Sequence, residues 1–217
     1  MTTMAEALLL LADRGDSGNF SRVDRNTAAV GGTLAELALA KRIDLDGRHV
    51  AVRDPSPTGN LASDEVLAQI AAGKPRKPAG WIAKLYWGFP NRVRDGLVTR
   101  EVLDRKESGI FHVRRYRAVD GRAETEVRQR LDAAVQAGHT DDWTAELAGQ
   151  IRALNLYRYA LPELPRDTAK ARIEAIARGS WTAEATKQAI TNNSIAVIAA
   201  LTPVYVTMFA TILSNTD

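Results

Sequence analysis

The dipeptide Asp46-Gly47, set between the alternating runs Ile43-Asp-Leu-Asp46 and His49-Val-Ala-Val-Arg53, constrains this chain more than any other feature. Period-two alternation is the mark of a half-buried strand, and an Asp-Gly pair supplies the positive φ angles of a tight turn, so residues 43–53 are predicted to form a β-hairpin. Almost everything around it repeats at helical spacing. Met4 to Ala12 reads as a short buried helix stopped by Asp13-Arg-Gly-Asp-Ser-Gly18. Asn26 to Arg42, with Leu34, Leu37 and Ala38 in one stripe, reads as a packed helix entered through Gly31-Gly32, a pair that marks a close helix contact. After the breakers Pro55, Pro57 and Gly59, Ser63 is the expected cap of a helix to about Ala72, with Asp64 and Glu65 favourably placed on its dipole.

A basic linker, Gly73 to Pro78, leads to Trp81, Leu85 and Phe89 on one helical spacing, with Ile82 and Tyr86 beside them; the expected role of this face is core. A helix from Arg92 to about Arg100 enters a second alternating region, Val102 to Val119, turning at Ser108-Gly109, so the helix-and-hairpin pattern occurs twice. From Gly121 onward the chain is helical in character: Glu124 to Ala137, Asp142 to Leu161, Asp167 to Arg178, and Thr182 onward. The reading is a mainly α single domain over 1–217, a helical bundle with small β-hairpins.

The 217 residues contain no cysteine, which removes disulfide scaffolds, thiolate metal sites and cysteine nucleophiles and makes the cytoplasm the expected compartment. No basic segment precedes the apolar run at Ala7 to Ala12, so a signal peptide is not expected. Between residues 191 and 216 there is no charge, and Ile195 to Leu213 approaches the ~20 residues that span a bilayer. Pro203 divides this run and no basic cluster flanks it, which favours a buried terminal helix broken at Pro203; a membrane anchor is the alternative.

Catalytic chemistry finds little support. His49, His112 and His139 stand apart without suggestive neighbours, no phosphate-cradling glycine loop or metal-ligand spacing occurs, and Asp64 and Glu65, adjacent on a helix, cannot face each other as an acid–base pair. A non-enzymatic protein without cofactor or metal is expected. Basic and aromatic residues do concentrate between Trp81 and Arg130. Arginine forks pair with phosphate oxygens and tryptophan suits the boundary between apolar and wet layers, a mixture that fits the headgroup layer of an anionic membrane. Lys84, Trp87, Arg92 and Arg94 are the candidate headgroup contacts, and Ile110, Phe111, Arg114 and Arg115 the candidate membrane-contacting part of the second hairpin.

The order of segments resembles a known family. Ala7-Leu-Leu-Leu-Leu-Ala-Asp-Arg-Gly15, Leu34-Ala-Glu-Leu-Ala-Leu-Ala-Lys-Arg-Ile-Asp-Leu45, Pro57-Thr-Gly59 with Asp64-Glu65 and Leu67, Trp81-Ile82, Leu97-Val98 with Val102-Leu103, and Ala189-Ile-Thr-Asn192 with Ile195 to Ala200 are similar in sequence and order to the Golgi phosphoprotein 3 family. The alanine and arginine bias suggests a bacterial member. The resemblance implies a helical domain peripheral on membranes, whose eukaryotic members bind phosphatidylinositol 4-phosphate and act as adaptors that retain glycosyltransferases. Carried over position by position, the phosphoinositide pocket changes: Ser21 stands for the pocket tryptophan, Val30 for one basic residue, and Trp87 and Pro90 for the other two, with Arg92 and Arg94 the nearest substitutes. The family's basic amino-terminal arm has no counterpart before Met4, and the tail after Pro203 looks like an addition. The expected partner is an anionic phospholipid surface with relaxed selectivity, alongside protein clients and self-association. The rival classes are a winged-helix-like nucleic-acid binder, suggested by the repeated helix and hairpin but disfavoured by its apolar first helix, and a lipid-independent protein adaptor.

Overall fold

The computed structural model describes residues 2–12, 25–108, 113–177 and 180–191, with backbone alone at 107–108 and 113–115. The described elements run α1 (Met4–Ala12), α2 (Arg25–Leu39), β1 (Ile43–Asp46), β2 (His49–Val52), α3 (Leu61–Ala72), α4 (Pro78–Leu85), α5 (Phe89–Thr99), β3 (Leu103–Ser108), β4 (Val113–Ala118), α6 (Arg122–Ala137), α7 (Asp142–Leu154), α8 (Tyr157–Ala160) and α9 (Arg166–Ile176). A further helix, α10, covers 181–191. The fold is mainly helical, with β1 and β2, and β3 and β4, forming two separate antiparallel pairs.

The leucine-rich α1 is buried along its whole length and organises the rest. Helical spacing sorts its side chains to three destinations. Met4, Ala7, Leu8 and Leu11 join a core built with α6, α7, α8 and α9; Ala5 and Leu9 join a second core with α2, α3, α4, α5 and the first hairpin; Leu10 meets Leu97 and Leu103 at the root of the second hairpin. A helix apolar on every side belongs in a core, and each buried leucine contributes about 1.5–3 kcal/mol. Its one charge is provided for: the Glu6 carboxylate accepts the Thr3 N–H at 2.9 Å and pairs with Arg100 at 2.5 Å. With the Glu6 N–H donating to the Thr3 hydroxyl at 3.4 Å, Thr3-Met-Ala-Glu6 is a capping box.

The helix expected from Asn26 to Arg42 is present, but Gly31 and Gly32 lie in its middle, not at its entry. The pair does mark close contacts. A Cβ at Gly32 would stand 2.8 Å from the Ala5 backbone, and one at Gly31 would strike Thr186 of α10. The first hairpin has the expected strands with its turn shifted by one residue: Asp46 pairs with His49, leaving Gly47-Arg48 as the loop, and Gly47 alone takes a positive φ, +59°. The cap of α3 is Asn60, whose side chain accepts the Ser63 N–H at 3.0 Å; Ser63 itself is buried in the first turn. The helix expected over Asp142 to Leu161 breaks at Asn155, which adopts the left-handed conformation and ends α7.

Trp81, Ile82, Leu85 and Phe89 are core, as their spacing predicts. They do not lie on one helix, because Gly88, at φ +87°, ends the turn after α4 and starts α5. Of the expected turn at Ser108-Gly109, Ser108 still belongs to β3, where it pairs with Val113. Residues 109–112 of that turn, and the uncharged stretch from 192 on, fall outside the described residues.

Candidate functional site

Breaking the chain between α4 and α5 throws Trp87 outward. The residue is 82% exposed, an unusual state for the largest apolar side chain, and its ring stands edge-on to Tyr86 with centroids 4.9 Å apart. Below it opens a groove of about 440 Å³ between α3, α4 and α5, lined by Glu65, Gln69, Lys84, Trp87, Arg92 and Asp95 among others. Lys84 lays its ammonium over the buried Trp81 ring at 4.7 Å. Arg92 reaches across from α5 to pair with Glu65, whose carboxylate also accepts from Gln69 at 3.1 Å.

Three of the four candidate headgroup contacts, Lys84, Trp87 and Arg92, therefore converge on one groove. Arg94 does not line it. Two residues along α5 from Arg92 it takes the opposite side of the helix, is only 8% exposed, and stacks its guanidinium over the Tyr116 ring at 5.5 Å. Tyr116 donates in turn to Asp95 at 3.3 Å, and Arg105 donates to the same carboxylate oxygen at 3.1 Å. Arg94 and Asp95 thus fasten the second hairpin to α5, and α5 links groove to hairpin. On that hairpin Arg114 and Arg115 lie in β4 opposite Glu107 and Lys106, while Ile110 and Phe111 fall outside the described residues.

Sequence reasoning missed the acids of the groove. Glu65 and Asp95 balance Lys84 and Arg92, so an incoming anion must compete with Glu65 for Arg92. The pair joins residues 27 apart in sequence, and no local pattern announces it. Of the positions standing for the phosphoinositide pocket, Val30 and Pro90 are buried and cannot meet a headgroup, Trp87 is exposed, and Ser21 falls outside the described residues. Among the described residues no cluster of three His, Asp or Glu side chains could hold a metal ion, and no helix is long and apolar enough to cross a membrane.

An α-helical domain with two small hairpins, an all-buried leucine helix at its centre and an exposed tryptophan beside a groove of mixed charge defines the class. The chain belongs to the Golgi phosphoprotein 3 (GPP34) family, whose model matches residues 4–192. The match includes the leucine-rich α1, the Leu34-Ala-Glu-Leu37 segment of α2, the Pro57-Thr-Gly59 loop and both hairpins, and stops short of Ile195 to Ala200. No curated protein matches the chain.

Proposed function

We propose that this protein is a non-catalytic, peripheral membrane-binding member of its family, acting at the cytoplasmic face of an anionic membrane as an adaptor. The observation that carries the reading is Trp87, exposed on a turn beside Lys84 and Arg92. An amphipathic indole at the apolar-to-wet boundary with two cations beside it matches the chemistry of a phospholipid headgroup layer. The Arg92–Glu65 pair is solvent-exposed, with the Arg92 side chain 61% exposed, so it holds Arg92 weakly and a phosphate can take its place. With Val30 and Pro90 buried, the groove recognises negative charge without strict selectivity for phosphatidylinositol 4-phosphate.

Nucleic acid is the weaker partner on physical grounds. The helix before the first hairpin, α2, buries Thr27 to Ala35 and Leu37, leaving no continuous free face to lie in a groove. Co-sedimentation of the full chain with phosphatidylcholine, phosphatidylserine and phosphatidylinositol 4-phosphate vesicles tests the proposal. Binding to both anionic vesicles, weakened by salt and by Lys84→Ala/Arg92→Ala, is expected. Absence of binding to every vesicle overturns it in favour of a lipid-independent adaptor.

A further inference from the structure

The groove at Trp87 leaves a more basic cavity unused. Between the carboxyl-terminal end of α7 and one face each of α9 and α10 lies a cleft of about 370 Å³, sharing no residue or element with the Trp87 groove. Its walls carry Arg152, Arg166, Lys170 and Lys187, and small residues, Gly149 and Ala183, keep it open. The sequence places these groups together by helical spacing: Arg166 and Lys170 are one turn apart on α9, as are Ala183 and Lys187 on α10. Arg152 is in the last turn of α7, and Asn155 then leaves the helix in a left-handed conformation with its side-chain oxygen accepting from Arg166 at 3.0 Å. That contact holds one guanidinium at the cleft.

Elsewhere Arg42, Arg92, Arg100, Arg105, Arg128 and Arg130 each pair with a carboxylate. None of the four basic groups of the cleft is ion-paired among the described residues, although Glu174 and Glu184 line the same cavity. Glu174 is engaged by Tyr157, whose hydroxyl donates to it at 3.0 Å. Burial, followed by the hydrogen bond and charge of Glu174, pushes the Tyr157 phenol up to about 12, so it remains a proton donor at neutral pH.

We propose that this cleft is a second anion site, which takes a phosphate monoester between Arg152, Arg166, Lys170 and Lys187. Two guanidinium forks offer paired donors to phosphate oxygens, and two ammonium groups add charge without geometric demand. The volume suits a small ligand. The Glu184 carboxylate, with no hydrogen-bond or ion-pair partner among the described residues, lines the same space and can accept from hydroxyl groups of the esterified alcohol.

The ligand chemistry has two sources, a soluble phosphate ester or the headgroup of a lipid, and the test separates them. Calorimetric titration of the full chain with glycerol 3-phosphate, with glycerol as control, is run beside co-sedimentation with phosphatidic acid vesicles, whose headgroup is itself a phosphate monoester. Wild type, Arg152→Gln/Lys170→Gln and Lys187→Gln are compared; Lys187 is exposed, so that variant keeps its fold if the double variant does not. Saturable binding of glycerol 3-phosphate, at least tenfold weaker in the double variant and about threefold weaker in the single one, with vesicle binding unchanged, identifies a soluble ligand. No titration signal but a comparable loss of vesicle binding identifies a lipid headgroup. Soluble and vesicle binding that are both absent, or both unmoved by the substitutions, overturns the site. Because Lys84 and Arg92 are intact in these variants, vesicle binding unmoved by the substitutions, with no glycerol 3-phosphate signal, overturns the cleft alone, whereas vesicle binding absent from wild type overturns the Trp87 groove as well.

Discussion

Asp64 accepts two hydrogen bonds from Thr58, one from its backbone N–H and one from its hydroxyl, each at 2.6 Å. They fold the Pro57-Thr-Gly59 loop onto the first turn of α3, where the Thr58 hydroxyl also accepts from the Asn60 N–H at 3.2 Å. Burial pushes the Asp64 carboxyl up, but the Thr58 bonds, the Gly59 N–H and the charge of Arg42 outweigh it and hold the pKa below its usual value. A depressed folded pKa gives stability that is present above the unfolded value of 3.8 and lost as pH falls through the folded one. Asp64→Asn is expected to cost about 1–2 kcal/mol at pH 7. Urea unfolding of both proteins should show that difference shrinking below about pH 4.

Gly32 sits where α1 and α2 cross. Its missing Cβ would meet the Ala5 Cα and N at 2.8 Å and Leu8 Cδ1 at 3.0 Å, and backbone cannot step aside as a flexible side chain can. Gly32→Ala should lower stability by about 2 kcal/mol. Gly96, in α5, has nothing within 4 Å of its would-be Cβ. Gly96→Ala is expected to raise stability by about 0.5–1 kcal/mol, the ordinary gain of alanine over glycine in a helix. Thermal melts of the two variants should move in opposite directions.

These glycines show how much the sequence told. Patterns between near neighbours in sequence were legible: the alternation around Asp46-Gly47, the leucine run of α1, and the core positions Trp81, Leu85 and Phe89, although these fall on two helices. Choices between neighbouring candidates were less so. Asn60 takes the cap expected of Ser63 because Asn60 leaves its own oxygen free to reach the Ser63 N–H, and the loop behind it is fixed by Asp64. Gly31 and Gly32 were legible as a contact, while their place inside α2 depends on α1 and α10 packing there. Long-range relations were not legible. Arg92 and Arg94 look alike in sequence, yet one meets Glu65 beside the groove and the other lies under Tyr116, because two residues on a helix differ by about half a turn.

Glu146 is a buried carboxylate satisfied by neutral donors. It accepts from Ser180 at 2.8 Å, Thr182 at 2.5 Å and Gln150 at 3.1 Å, while Gln150 accepts from Thr186 at 2.8 Å. This ladder, buried for most of its length, ties α10 to α7. Glu146→Leu strands donors inside the protein and should cost about 3 kcal/mol, whereas Glu146→Gln keeps an acceptor oxygen and should cost about 1 kcal/mol. Hydrogen exchange should report the larger loss as faster exchange over residues 181–191.

The Arg92–Glu65 pair sets the competition at the proposed lipid site. Glu65→Gln removes the internal rival for Arg92 and one negative charge from the groove. Vesicle affinity for phosphatidylserine should rise about threefold to tenfold, the equivalent of roughly 0.7–1.4 kcal/mol. An unchanged affinity would mean that Arg92 is not a lipid contact.

The central claim is that Trp87 meets the membrane, and tryptophan emission tests it most directly. Trp81 is buried and stays so, whereas Trp87 passes from water into the headgroup layer. Titrating the full chain with phosphatidylserine vesicles should shift emission to shorter wavelength, an effect absent with phosphatidylcholine, reversed by salt and lost in Trp87→Phe. A shift of equal size in Trp87→Phe, or no shift at saturating vesicles, would contradict the account.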